Sequence, residues 1–117
     1  MKVAPIKTAI TLSDVEKVDI RIGTIEAVED IENSNKLVRL VVEFGDHKRR
    51  ILAGLKQERS NLRELEGKQA LFVVNLEPKQ MAGESSEGML FDIGYADGEV
   101  PCLAVPERQM PNGSRAG

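Results

Sequence analysis

Apolar and polar residues alternate strictly through Val18-Asp19-Ile20-Arg21-Ile22, the period of a strand with one buried face. Gly23 breaks the alternation, and Ile25, Ala27 and Val28 resume it out of phase. A glycine at a phase break predicts a bulge or sharp bend in one long strand. Residues 37–44 predict a second strand, with Val38, Leu40, Val42 and Phe44 on one face and Arg39 and Glu43 on the other. Gly45, Asp46 and His47 close a hairpin into a third strand, which Ala53-Gly54-Leu55 ends. The good helix candidate follows, with Asn61 as N-cap, Glu64 three residues later, Leu62 and Leu65 facing inward, and Gly67 as the stop. The apolar run from residue 70 to 74 predicts a buried fourth strand, and residues 88–93 a fifth. Residues 100–105 form a short last strand that Pro101 pushes towards an edge.

The ends are less regular. Residues 1–12 read as an arm, and Ser13 stands three before Glu16 in the spacing of a capping box, so a short helical turn is expected there. Residues 106–117 hold two prolines and an Asn112-Gly113 turn and are expected to be extended or irregular. The order is therefore strand, strand, strand, helix, strand, strand. That order predicts an all-β fold with one short helix, a five-stranded OB-fold Greek-key barrel. The whole chain is expected to be one domain, with its barrel in residues 18–105 and arms at 1–17 and 106–117.

Residues 75–89 stand out between the fourth and fifth strands. They hold Pro78, Gly83, Gly88, Ser85, Ser86 and the charged residues Glu77, Lys79, Glu84 and Glu87. Two to five turn residues would close a simple hairpin. A longer, chemically richer connection on a rigid sheet is either a solvated loop or a binding site.

A chain of 117 residues with no long apolar run has no candidate membrane span. The first residues lack the apolar core of a signal peptide, so a cytoplasmic location is expected. Cys102 and His47 are the only residues of their types. Neither a metal site nor a nucleophile–histidine pair can be assembled around them, and Cys102 is expected as a small buried side chain. No cofactor is expected, and the chain reads as a binding module rather than an enzyme. The net charge of −3 argues against non-specific nucleic-acid binding. The charge is unevenly placed, however: residues 36–63 hold eight bases against three acids. That segment is either a basic face or a mixed solvated surface.

Asn75-Leu76-Glu77-Pro78-Lys79-Gln80-Met81, followed by Gly83-Glu84-Ser85-Ser86-Glu87-Gly88-Met89, resembles the tRNA-binding domain family. Lys17-Val18-Asp19-Ile20-Arg21-Ile22-Gly23, Ser34-Asn35-Lys36-Leu37 and Ala53-Gly54-Leu55 agree with that family's other motifs. The family includes small free-standing tRNA-binding proteins, the appended C-terminal domain of many methionyl-tRNA synthetases, a cytokine module and the CsaA-type export chaperones. The resemblance implies an OB-fold that recognises the shape of folded tRNA, and homodimers joined largely through residues outside the barrel. By motif position it implies Ser34, Lys36, Asn75, Lys79, Ser86 and Met89 as RNA-facing residues. Gln80 stands where the family has a second base after the proline, and Asn35 where it has an acid.

The chemistry fits these roles. Lys36, Lys79 and Arg50 can pair with phosphates, and Asn75 and Ser86 can bond hydroxyls or phosphate oxygens. Single-strand binding would need exposed aromatics, whereas Phe44, Phe72 and Phe91 take core-like strand positions. Asn75 alternatively ties down its own loop. Met81 and Met89 alternatively fill packing gaps, and Glu84 and Glu87 should point away from phosphate or bond to protein. Three readings follow: a homodimeric tRNA-binding protein, a CsaA-like chaperone holding unfolded polypeptides, or a subunit that docks on an aminoacyl-tRNA synthetase.

Overall fold

The computed structural model describes residues 2–117, and one long strand organises it. This strand, β1 (Ile20–Asp30), has eleven residues and serves three partners. Its first half pairs with β4 (Gln69–Val73), from Ile20 opposite Val73 to Thr24 opposite Gln69. Its second half pairs with β2 (Val38–Glu43), from Thr24 opposite Glu43 to Asp30 opposite Val38. Opposite β4 and ahead of β2, the start of β1 also pairs with β10 (Arg115–Ala116). Strand β3 (Lys48–Ala53) pairs with β2, and β7 (Met89–Leu90) pairs with β4. The antiparallel order is β3-β2-β1-β4-β7, the five-stranded OB-fold arrangement. The free sides approach each other where the Glu87 amide donates to the Arg50 carbonyl at 2.9 Å.

The break in β1 falls later than the sequence pattern predicts. The register shifts between Ile25 and Ala27, so Glu26 is the extra residue, and the strand bends there. Gly23 has a different role. A Cβ at that position would lie 2.5 Å from Val42 Cγ1 and 2.9 Å from Phe44 Cε1. The glycine lets β1 pass close over the core.

The core forms where the alternation predicts it. Val38, Leu40, Val42 and Phe44 are buried on one face of β2 and its continuation, against Ile25, Ile51, Leu65 and Phe72. The Phe44 and Phe72 rings meet edge to face at 5.5 Å, a favoured aromatic geometry.

Several local expectations need correction. Residues 62–65 form a 3-10 turn rather than an α-helix. Asn61 caps it as predicted, accepting from the Arg63 amide at 3.2 Å. The single α-helix among the described residues, α1 (Leu12–Glu16), is capped by Thr11 with Asp14. Ser13 falls inside the first turn and cannot be the cap. Cys102 is exposed, not buried. It lies on β9 (Cys102–Leu103), which pairs with β8 (Asp92–Ile93) outside the main sheet. Phe91 is only half-buried. Residues 110–114 are irregular with a turn at Asn112-Gly113, as expected, but residues 110–116 are tied to the barrel. Gln69 bonds the Met110 backbone through both its amide atoms, Thr24 donates to the Asn112 side chain, and the Ile22 amide donates to the Ser114 carbonyl.

The connection between β4 and β7 carries a hairpin of its own, β5 (Lys79–Met81) and β6 (Glu84–Ser86). Ala82 and Gly83 turn it with φ of +50° and +78°, the signs a type I′ turn requires. Three-residue strands are too short to show an apolar period, so the sequence reads as loop.

Candidate nucleic-acid interface

The β6 end of the hairpin runs along the free edge of β3. The Ser86 hydroxyl accepts from the Leu52 amide at 3.0 Å and donates to the Gly88 carbonyl at 3.0 Å. Ser86 is accordingly buried, at 4% exposure. Nearer the hairpin turn, the Arg39 guanidinium grips both Glu84 carboxylate oxygens and reaches Glu29 at 3.0 Å. A bidentate arginine–carboxylate pair is among the stronger and more directional polar contacts. It holds the Glu84 carboxyl below the usual carboxylate range, against a smaller opposing effect of burial. Glu87 also turns to protein, accepting from the Arg50 amide at 3.0 Å.

Between hairpin and sheet runs a groove of about 560 Å³, lined by Leu52, Leu76, Met81 and Met89 with Glu77, Lys79, Ser86 and Gly88. Met89 and Leu76 are half exposed along it. This brings Lys79, Ser86 and Met89 together, with Arg50 two residues along β3 from Leu52. Only part of each side chain is free for a ligand. The Lys79 side chain is exposed, while the Ser86 hydroxyl is buried, with its proton donated within the protein.

The remaining expected residues lie elsewhere. The Ser34 hydroxyl accepts from the Lys36 and Leu37 amides at 3.2 and 3.0 Å, which shapes the turn into β2. Lys36 stands exposed on that turn. The Asn75 amide side chain accepts from the Asp19 amide at 2.8 Å and donates to the Lys17 carbonyl at 2.7 Å. It ties the start of the connection to the chain entering β1.

Most of the basic segment is engaged internally. Arg39, Lys48, Lys56, Arg59 and Arg63 each face a carboxylate. Arg49 points at backbone carbonyls. Among the described residues, the side chains of Lys36, Arg50 and Lys79 join neither an ion pair nor a hydrogen bond, and all three are exposed; the same holds for Lys2, Lys7, Lys68 and Arg115, away from the hairpin in sequence. An exposed, unengaged cation is free to pair with a phosphate oxygen. Arg39, Arg49 and Leu52 are the site residues that sequence pattern misses. Arg39 faces outward on β2 in the alternation, but pairing it with Glu29 and Glu84 needs the register. Among the described residues no cluster of histidine, cysteine and carboxylate could hold a metal ion, and no helix is long and apolar enough to cross a membrane.

Residues 20–115 match the family model "Putative tRNA binding domain". The chain belongs to the tRNA-binding domain family. It is 35% identical over 109 residues to a methionine–tRNA ligase of Archaeoglobus fulgidus, covering 93% of this chain and 16% of the ligase. A ligase of Methanocaldococcus jannaschii is 37% identical over 106 residues, again over 16% of its length. The chain thus corresponds to a small part of these enzymes. Among solved structures it is similar to a MetRS related protein from Pyrococcus horikoshii, with TM-score 0.86 and 32% identity, covering 95% of this chain and all of that one. The chaperone CsaA of Bacillus anthracis superposes with TM-score 0.80 at 29% identity, covering 94% of this chain and all of that one.

Proposed function

We propose that this domain is a non-catalytic tRNA-binding module that acts in the cytoplasm as a homodimer. Lys79, Arg50 and Lys36 contact phosphates in this reading, and Met89 packs at the rim of the groove beside them. The observation that carries it is the contrast among the cations. Six of the eight bases in residues 36–63 are engaged by carboxylates or carbonyls, whereas Lys36, Arg50 and the hairpin's Lys79 present open heads. Ser34, Asn75 and Ser86 then act as scaffold that shapes the surface. Exposed Val3, Ile6, Ile10, Leu12 and Val15 support a second copy packing on the N-terminal arm, and two barrels would double a modest set of phosphate contacts. Similarity to methionine–tRNA ligases supports a synthetase, covalently joined or docked, as the setting of this binding.

The test is a tRNA titration across salt concentrations. The logarithm of affinity should fall linearly with the logarithm of salt, and Lys79→Gln and Arg50→Gln should each reduce the slope by about 0.7–0.9. Absence of binding at low salt would overturn the reading, and sedimentation as a monomer would remove the dimer.

The apolar groove supports a second reading, a holder of unfolded polypeptide like the CsaA chaperone it superposes on. Suppression of a client's aggregation, indifferent to salt and to added tRNA, would favour that reading.

A further inference from the structure

We propose that Arg49 is a positioning residue that fixes the binding hairpin by clamping both ends of its connection at once. Its Nη1 donates to the Val74 carbonyl at 2.6 Å and to the Glu87 carbonyl at 3.0 Å. Val74 lies just before Asn75, and Glu87 just after Ser86, so a single nitrogen joins the points where the chain leaves and rejoins the barrel. The inference rests on the tRNA-binding reading above, because the residue being positioned is Lys79.

The guanidinium is itself held on its other sides. Its Nε donates to His47 Nε2 at 3.0 Å. That bond leaves the His47 proton on Nδ1, which lies 2.6 Å from Asp46 Oδ1. The His47 ring stacks on Phe44 with centroids 5.6 Å apart, and the guanidinium carbon of Arg49 sits 6.0 Å from the Phe44 centroid. Phe44 is a core residue. The chain of contacts therefore runs from the barrel interior through Phe44 and His47 to Arg49, and from Arg49 to both loop ends. Arg39 anchors the hairpin near its turn through Glu84. With the ends and the turn region both tied, Lys79 has little freedom other than its own side-chain torsions.

Lysine cannot replace this arrangement. An ammonium carries one point of charge, whereas the planar fork places Nε and Nη1 towards different acceptors simultaneously. A residue that merely supplied charge to RNA would tolerate the exchange.

The experiment compares Arg49→Lys and Arg49→Gln, alone and combined with Lys79→Gln, by tRNA titration over a salt series in the full-length chain. Each Arg49 variant should lose about tenfold in affinity, the scale of one charge-assisted hydrogen bond. Adding Lys79→Gln to either should cause little further loss, because Lys79 is no longer in place. Amide hydrogen exchange should rise within residues 75–88 and stay at the wild-type level in β1 and β2. Wild-type affinity in Arg49→Lys, or full additivity with Lys79→Gln, would overturn the inference. Unchanged exchange in residues 75–88 would overturn it independently of RNA. Failure of the wild-type chain to bind tRNA would instead remove the functional reading, and with it the purpose of the clamp, while the exchange data would still report whether the clamp exists.

Discussion

Ser86→Ala separates a scaffold residue from a contact residue. The substitution removes one oxygen that serves two backbone groups, the Leu52 amide at 3.0 Å and the Gly88 carbonyl at 3.0 Å. Leu52 is 6% exposed and Ser86 4%, so water has poor access to the orphaned amide. Losing the bond costs about 1 kcal/mol, and an unsatisfied buried donor costs about 1–3 kcal/mol. These overlap, and a total of about 2 kcal/mol is expected. Denaturant slopes for small proteins are about 1–3 kcal/mol per molar urea, which puts the shift in urea midpoint near 1 M. The chain has no tryptophan, so unfolding is best followed by far-ultraviolet circular dichroism. In the folded variant, the salt dependence of tRNA binding should match wild type, since no phosphate contact is lost. An unchanged urea midpoint with a salt slope reduced by about 0.7–0.9 would refute the reasoning, because the hydroxyl would then be reaching RNA.

Two further outcomes are expected. Asn75→Ala loses two bonds of 2.8 and 2.7 Å to Asp19 and Lys17. At an exposed site this should cost about 1 kcal/mol, with faster hydrogen exchange at the Asp19 amide as its first sign; unaltered exchange there would show that the side chain is not the tie. Glu58→Gln should stabilise the protein at neutral pH. Burial first, and then Asp92, push the Glu58 carboxyl up, with Arg59 opposing, and its Oε2 is buried without a partner among the described residues. A carboxyl raised in the folded state favours folding below its unfolded pKa, and that contribution is lost as pH rises through the folded value. The advantage of the glutamine variant in melting temperature should therefore grow from acid towards neutral pH, and an advantage confined to acid would contradict the assignment.

The fold was legible wherever one face of an element repeats. Val38, Leu40, Val42 and Phe44 announce β2 because a strand has period two and its inward face tolerates no charge. Gly23 is conspicuous in the sequence but does not mark the bulge, which falls at Glu26; its need for a close approach to Val42 and Phe44 depends on which strand crosses it. The hairpin of β5 and β6 is held by Arg39, Arg49 and the Ser86 hydroxyl rather than by an apolar face. Those partners lie 25 to 45 residues away in sequence, and no local pattern encodes them.

The same limit governs the reading of charge. Residues 36–63 carry a net excess of five bases by count, which suggests a broad basic face. Register decides otherwise. Glu29 stands directly opposite Arg39 across the β1–β2 ladder, Glu26 meets Lys48 and Asp30 meets Lys56. An acidic strand laid beside a basic one cancels most of the field at the distances where ions screen each other. What remains is a few unengaged heads on a surface shaped by internal ion pairs and hydrogen bonds. Under the proposed tRNA-binding reading, such a surface would select a ligand whose phosphates match a fixed geometry, as those of folded RNA do, over one that offers charge alone.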